Sequence, residues 1–234
     1  MNIALILAGG TGRRMGQEIP KQFIHVNNCP VIIYTLLVVQ NHPEIDCIQV
    51  VCIDGWEKIL QGYAKQYNIT KLMGIVSGGD TRFESTRIGM ESLKYVHDDD
   101  VIIVHDSVRP LVTAESLSDT IAVCRSYGNS MSILNCTDTM YEKTNEAYTS
   151  REMERSRLVR GQTPEAVSGR RMREMYAAAD ARGIRMDSIS AMQSALGWNI
   201  HFAKGSERNI KLTNTEDIEL FKALIAVEKD EWLK

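Results

Sequence analysis

A chain of 234 residues, 44% hydrophobic and 24% charged, has the composition of a water-soluble globular protein that can bury one substantial core. A net charge of −3 with no long basic block excludes a general nucleic-acid binder, so any phosphate-binding charge has to be local. The cysteines (Cys29, Cys47, Cys52, Cys124, Cys136) form no C-x-x-C pair and the histidines no H-E-x-x-H spacing, which argues against a disulfide frame or a zinc site and for a reducing compartment.

The first element is an apolar run, Ile3 to Leu7, expected to be a strand buried on both faces of an α/β sheet. It begins without a charged n-region and cleavage site. No apolar run reaches membrane-spanning length, so a cytoplasmic protein is expected. The strand opens into Ala8-Gly9-Gly10-Thr11-Gly12-Arg13-Arg14-Met15, with Pro20-Lys21-Gln22 close behind. Glycines permit positive φ and leave amide N–H groups uncovered, and three cations lie beside them, a combination suited to polyphosphate. The spacing misses the dinucleotide pattern G-x-G-x-x-G, and no Lys-Ser/Thr pair completes a Walker loop.

Val31 to Gln40 has helical character, Cys47 to Ile53 is a second buried strand closed by Asp54-Gly55, and Trp56 to Tyr67 is a helix. Lys71 to Val76 is a short strand leading into Ser77-Gly78-Gly79-Asp80, followed by an amphipathic helix from Thr86 to Val96. Val101 to Val104 is a further buried strand ending at His105-Asp106. The segment from Cys136 to Gly161 is a less apolar excursion of two extended pieces, either a lid or an arm. Leu158 to Pro164 returns to the core, and Arg171 to Arg182 is amphipathic and helical. A strand from Trp198 to Ala203 and a helix from Glu216, capped by Thr215, close the chain. Strands alternating with helices predict a three-layer, mostly parallel α/β fold whose ligand crevice lies at the carboxyl ends of the strands. The first glycine loop, Gly78-Gly79-Asp80 and His105-Asp106 all fall at such ends, pointing to one composite site.

Asp106 at a strand end suits a metal or ribose, or caps the next helix, and Arg109 can reach a phosphate. Gly78-Gly79-Asp80-x-Arg82-x-x-Ser85 combines amides, a cation and a hydroxyl, serving either a nucleotide's base and ribose or a turn with a helix cap. Nothing physical singles out Lys211.

These motifs occur in order with Thr163-Pro164 and Asn209-Ile210-Lys211-x-Thr213 over residues 1 to about 225. Together they resemble the cytidylyltransferase family containing 2-C-methyl-D-erythritol 4-phosphate cytidylyltransferase and ribitol-5-phosphate cytidylyltransferase. The resemblance implies a single Rossmann-like nucleotidyltransferase domain over 1–234, with an extended β-arm at about 137–160. It implies a reaction of CTP with a polyol phosphate to give a CDP-alditol and pyrophosphate, with Mg²⁺ required. Carried over by position, Ala8, Gly9, Gly10, Gly12, Gly79, Asp80, Arg82 and Ser85 would hold the nucleotide. Arg14, Lys21 and Lys211 would be catalytic by stabilising phosphate charge. Asp106 would sit near metal and substrate, with Arg109, Thr163 and Asp187 binding substrate. The arm would deliver Thr139 and Arg155 to a neighbouring subunit, which implies a homodimer.

Three departures from the family pattern stand out: Ser107-Val108 in place of two alanines, Glu165 in place of a glutamine, and Met186 before Asp187 in place of a threonine. Ser107 and Gly161-Gln162-Thr163-Pro164 look more like the ribitol branch, which is favoured over methylerythritol phosphate. A hexose-1-phosphate or choline-phosphate nucleotidyltransferase and a catalytically silent nucleotide-binding protein are the other classes. The arm and the Asn209-Ile210-Lys211 motif weigh against the first. The joint presence of Arg14, Lys21, Asp106 and Lys211 weighs against the second.

Overall fold

The computed structural model describes residues 1–10 and 19–227. Its centre is a seven-stranded sheet built on β1 (Asn2–Ala8), which is buried along its whole length. To one side lie β4 (Cys47–Cys52) and the edge strand β5 (Leu72–Ser77); to the other, β6 (Val101–Asp106). Beyond β6 come β10 (Val159–Ser168), β7 (Asn129–Asn135) and the short β11 (Phe202–Lys204), giving the order β11-β7-β10-β6-β1-β4-β5. All pairs are parallel except those of β10, which runs antiparallel to both β6 and β7. The register pairs Ala8 with Cys52, Cys52 with Ser77 and Leu7 with Asp106, so the residues that follow four strands emerge side by side at one edge.

Side chains along β1 alternate between the two faces, as the strand period of two requires. Ala4, Ile6 and Ala8 join a cluster with Leu36 of α1 (Val31–Asn41), Leu60 of α2 (Glu57–Gln66) and Leu117 of α4 (Ala114–Tyr127). Ile3, Leu5 and Leu7 join another with Met90 of α3 (Arg82–Ser92), Met175 of α5 (Gly169–Arg182) and Met192 of α6 (Ile189–Ala195). These are the three expected layers. A smaller cluster seats α7 (Thr215–Val227) through Phe221 against Val26, Val31, Val108 and Leu212. Val26 belongs to the hairpin of β2 (His25–Val26) and β3 (Cys29–Pro30).

Helix α3 lies close to the sheet because Gly89 has no side chain. A Cβ there would stand 2.6 Å from Val51 Cγ2 and 2.7 Å from Leu5 Cδ1. Gly89→Ala is therefore expected to cost about 1–3 kcal/mol by overpacking, measurable as a lower midpoint in urea at unchanged slope.

Several boundaries differ from those expected. Helix α3 begins at Arg82 rather than Thr86, because Thr81 and Glu84 form a reciprocal capping box that starts it four residues earlier. The last helix is capped by Asn214, whose Oδ1 accepts from Asp217 N at 2.9 Å, and not by Thr215, which is already helical. The late strand is Phe202–Lys204 rather than Trp198 to Ala203, since only these residues pair with β7. β6 runs through His105 and Asp106, which places Asp106 at the strand end as expected. Helices α4 and α6 and strand β7 were not read from the sequence.

The excursion is an antiparallel pair, β8 (Met140–Glu142) and β9 (Arg151–Met153), exposed on nearly every residue. Arg155 ties its base by donating to the Thr137 carbonyl at 2.7 Å.

Candidate functional site

A cleft of about 560 Å³ opens at the carboxyl edge of β1, β4, β5 and β6. Of its glycines, Gly9, Gly78 and Gly79 serve close packing, whereas a Cβ on Gly10 would meet nothing within 4 Å. Neither Gly9 nor Gly10 has the positive φ expected of the loop. A Cβ on Gly9 would lie 3.1 Å from Ser85 Oγ, and one on Gly78 only 2.8 Å from it. Gly79 is tighter still, with Glu84 Cβ 2.6 Å from where its Cβ would stand. Ser85, in the first turn of α3, accepts from Gly79 N at 3.1 Å and donates to the Gly79 carbonyl at 3.2 Å. The two glycine segments are thus drawn onto one buried hydroxyl, leaving Gly9, Gly10, Gly79 and Asp80 along the cleft wall.

A turn of 3-10 helix (Lys21–Phe23) brings Lys21 into the same cleft. Buried Gln22 anchors that turn to the glycine loop, its Nε2 donating to the carbonyls of Ala8 at 2.7 Å and Gly10 at 3.0 Å.

The floor is organised by Asp106, whose carboxylate meets three cations: Lys211 Nζ at 2.9 Å, Arg82 Nη2 at 3.2 Å and Arg109 Nε at 3.4 Å. They come from separate places in the chain: α3, the turn after β6, and the loop before α7. Burial by itself would raise the Asp106 carboxyl, but Lys211 and Arg82 overcome that and hold it well below the usual carboxylate range. The cleft wall carries Lys21, Arg82 and Lys211 against the carboxylates of Asp54, Asp80 and Asp106, so its positive charge is local to the cluster on Asp106. Oriented cations in a partly dehydrated pocket are what a polyphosphate requires.

Hydrogen bonds fix this cluster from behind. Thr163 Oγ1 accepts from Asp106 N at 3.2 Å, and Arg109 Nη1 donates to the Asn209 carbonyl at 2.7 Å. Asn209 Nδ2 donates to the Thr163 carbonyl at 2.7 Å, locking the Lys211 loop to β10. His105 is fully buried, with Nε2 against the Arg109 carbonyl at 3.2 Å; burial pushes its pKa down to about 4, which makes it a neutral packing residue.

The expected site residues divide accordingly. Gly9, Gly10, Lys21, Gly79, Asp80, Arg82, Ser85, Asp106 and Lys211 line the cleft, and Asp54 joins them from the end of β4. Ala8, Arg109 and Thr163 support it from the second layer through the bonds above. Asp187 meets Arg82 through its backbone carbonyl and does not line the cleft. Thr139 and Arg155 lie apart, in a separate hollow of about 420 Å³ on the arm. Gly12 and Arg14 lie outside the described residues. Gln22, Asn209 and Glu165 had no assigned role. Gln22 and Asn209 stood inside quoted motifs, and their burial is the signal that marks them. Among the described residues no helix is long and apolar enough to cross a membrane.

Residues 2–227 match the IspD family model, described as 2-C-methyl-D-erythritol 4-phosphate cytidylyltransferase. The chain is 41% identical over 230 residues to a ribitol-5-phosphate cytidylyltransferase of Lacticaseibacillus paracasei, covering 96% of this chain and 98% of the other. It is 33% identical over 228 residues to a 2-C-methyl-D-erythritol 4-phosphate cytidylyltransferase of Syntrophus aciditrophicus, covering 97% of each. Among solved structures, the 4-diphosphocytidyl-2C-methyl-D-erythritol synthase of Anaerococcus prevotii superposes with a TM-score of 0.83 at 26% identity over 96% of each chain. A cleft built for polyphosphate on this sheet, in a chain with these relatives, has one assignment: the protein belongs to the IspD family of cytidylyltransferases and is a nucleotidyltransferase.

Proposed function

We propose that the protein transfers the cytidylyl group of CTP to ribitol 5-phosphate, releasing pyrophosphate and forming CDP-ribitol. The observation that carries the substrate is the 41% identity, over 96% of the chain, to a ribitol-5-phosphate cytidylyltransferase. The cation cluster on Asp106 supports the chemistry. An oxygen of the acceptor phosphate attacks the α-phosphorus of CTP, and the bond from that phosphorus to the oxygen bridging it to the β-phosphate breaks, that oxygen leaving with the pyrophosphate. The attacking monoester is already ionised, so no general base is needed. The chain's task is to align the two phosphates and stabilise charge on the transferring and leaving oxygens. That Lys21 and Lys211 line the same cleft supports giving them that work, and Gly9, Gly10, Gly79 and Ser85, which line it too, are assigned to the nucleotide. Arg14 takes the same role from the glycine loop.

The carboxylates on the cleft wall support a site for Mg²⁺ completed by the substrate phosphates. The ion is commonly bound through one or two carboxylates together with substrate phosphates, and the cleft offers Asp106, with Asp54 and Asp80 also on its wall. Asp106 would hold the ion, which when bound supplies Lewis-acid stabilisation of phosphate charge.

The arm completes the reading. Met140, Tyr141, Tyr148 and Val159 expose apolar surface on and beside it, as suits a segment that packs on a second copy and carries Thr139 and Arg155 to its acceptor site. The protein is accordingly a homodimer working in the cytoplasm. A second reading, 2-C-methyl-D-erythritol 4-phosphate as acceptor, is favoured by the family model and the 33% relative. Pyrophosphate release with each acceptor in turn decides between the two.

A further inference from the structure

Glu165 is a buried carboxylate on β10, 4% exposed, that the chemistry above does not use. Its two oxygens face different neighbours. Oε2 accepts from Ser190 N at 2.8 Å, at the start of α6. Oε1 lies 3.9 Å from Arg82 Nη2, the nitrogen that also meets Asp106 Oδ1 at 3.2 Å. The same guanidinium donates through Nη1 to the carbonyl of Asp187, three residues before Ser190. Arg82 and the segment from Asp187 to Ser190 are therefore both tied to Glu165 and to each other, in a closed ring of three contacts behind the cleft floor. Burial pushes the Glu165 carboxyl up, against the Ser190 hydrogen bond and Arg82. Keeping a carboxylate dry is costly unless it is paired and hydrogen-bonded, and the ring supplies both.

We infer that Glu165 is a positioning residue: acting through Arg82, it sets the guanidinium in the cleft and holds the 187–190 segment against it. The inference rests on the cytidylyl-transfer reading for its kinetic part only. The two oxygens can be separated experimentally. Glutamine keeps an acceptor for Ser190 N but no charge toward Arg82, whereas alanine removes both.

With CTP and ribitol 5-phosphate, Glu165→Gln is expected to raise the KM for CTP, the substrate assigned to Arg82, by about 10-fold, within the range of direct couplings, and to leave the acceptor KM within about 2-fold. On an Arg82→Ala background the same substitution should add nothing, because the residue it acts through is gone. Hydrogen exchange of the substrate-free protein gives an independent readout. The Ser190 amide should exchange at least about 10-fold faster in Glu165→Ala through local opening, and at the native rate in Glu165→Gln. An unchanged KM for CTP in Glu165→Gln, or an undiminished effect without Arg82, overturns the inference. So does native exchange at Ser190 in Glu165→Ala, whatever the acceptor proves to be. If wild type fails to use either polyol phosphate, the substrate reading falls and the exchange result still decides the role of Glu165.

Discussion

Lys211→Ala is expected to lower kcat by about 10²–10³, the scale for removing one preorganised charge donor from a transition state, while changing thermal stability little. The asymmetry follows from the geometry. Lys211 Nζ stands 2.9 Å from Asp106 on the cleft wall, but its side chain is 38% exposed, so its loss leaves no cavity. Asp106 keeps the guanidiniums of Arg82 and Arg109, so the carboxylate is not stranded. What disappears is a cation that can turn from Asp106 to the phosphates as charge moves onto the leaving oxygens. Steady-state pyrophosphate release and a melting curve on the same preparation check both halves. A kcat within a few-fold of wild type would remove Lys211 from the machinery, and a large drop in Tm would recast it as structural.

Asp106→Asn is expected to behave differently, losing activity and stability together. The neutral amide leaves three cations converging on a buried point without the charge that gathers them. Breaking a buried ion pair from one side costs about 3–5 kcal/mol, which for a chain of this size corresponds to a fall in Tm of roughly 6–20 °C. The activity should fall by about 10² or more, since the positions of Arg82 and Lys211 and the carboxylate for Mg²⁺ are lost in one change. The native carboxyl is held below its ordinary value. Its contribution is therefore present in full above pH ~4 and is lost only as pH falls through the depressed value. Asp106→Asn should accordingly be less stable than wild type at neutral pH, with the gap narrowing in strong acid. Equal stability at pH 7 would contradict the cluster.

Much of the fold was legible because the central strands are buried on both faces. Ile3 to Leu7 and Val101 to Val104 carry continuous apolar runs, Cys47 to Ile53 one broken only by Gln49, and their ends mark the crevice. β10 was harder to see. Arg160 and Gln162 interrupt its pattern and Pro164 lies in it, at a shift in register between Gln162 and Glu165 where a proline is tolerated. The start of α3 was hidden because Thr81 and Glu84, which cap it, lie inside the segment read for its nucleotide chemistry. For the site, Asp106 was legible from its place at a strand end, and Lys211 only through its motif. Its partnership with Asp106 joins positions 105 residues apart, which no local pattern encodes. Glu165 shows the limit most clearly. As sequence it is a polar residue beside a proline; only the fold makes it a dry carboxylate against Arg82 and Ser190. The glycine loop was read for positive φ, whereas Gly9 and Gly78 are glycines for contact with Ser85.

The account stands or falls on pyrophosphate release from CTP and Mg²⁺ by the purified protein, with ribitol 5-phosphate and 2-C-methyl-D-erythritol 4-phosphate supplied separately. It predicts efficient release with ribitol 5-phosphate and at least about 10²-fold lower kcat/KM with the methylerythritol compound, a ratio within reach of discrimination at one hydroxyl-binding subsite. The reverse preference would contradict the ribitol assignment, and no release with either would contradict both acceptor assignments.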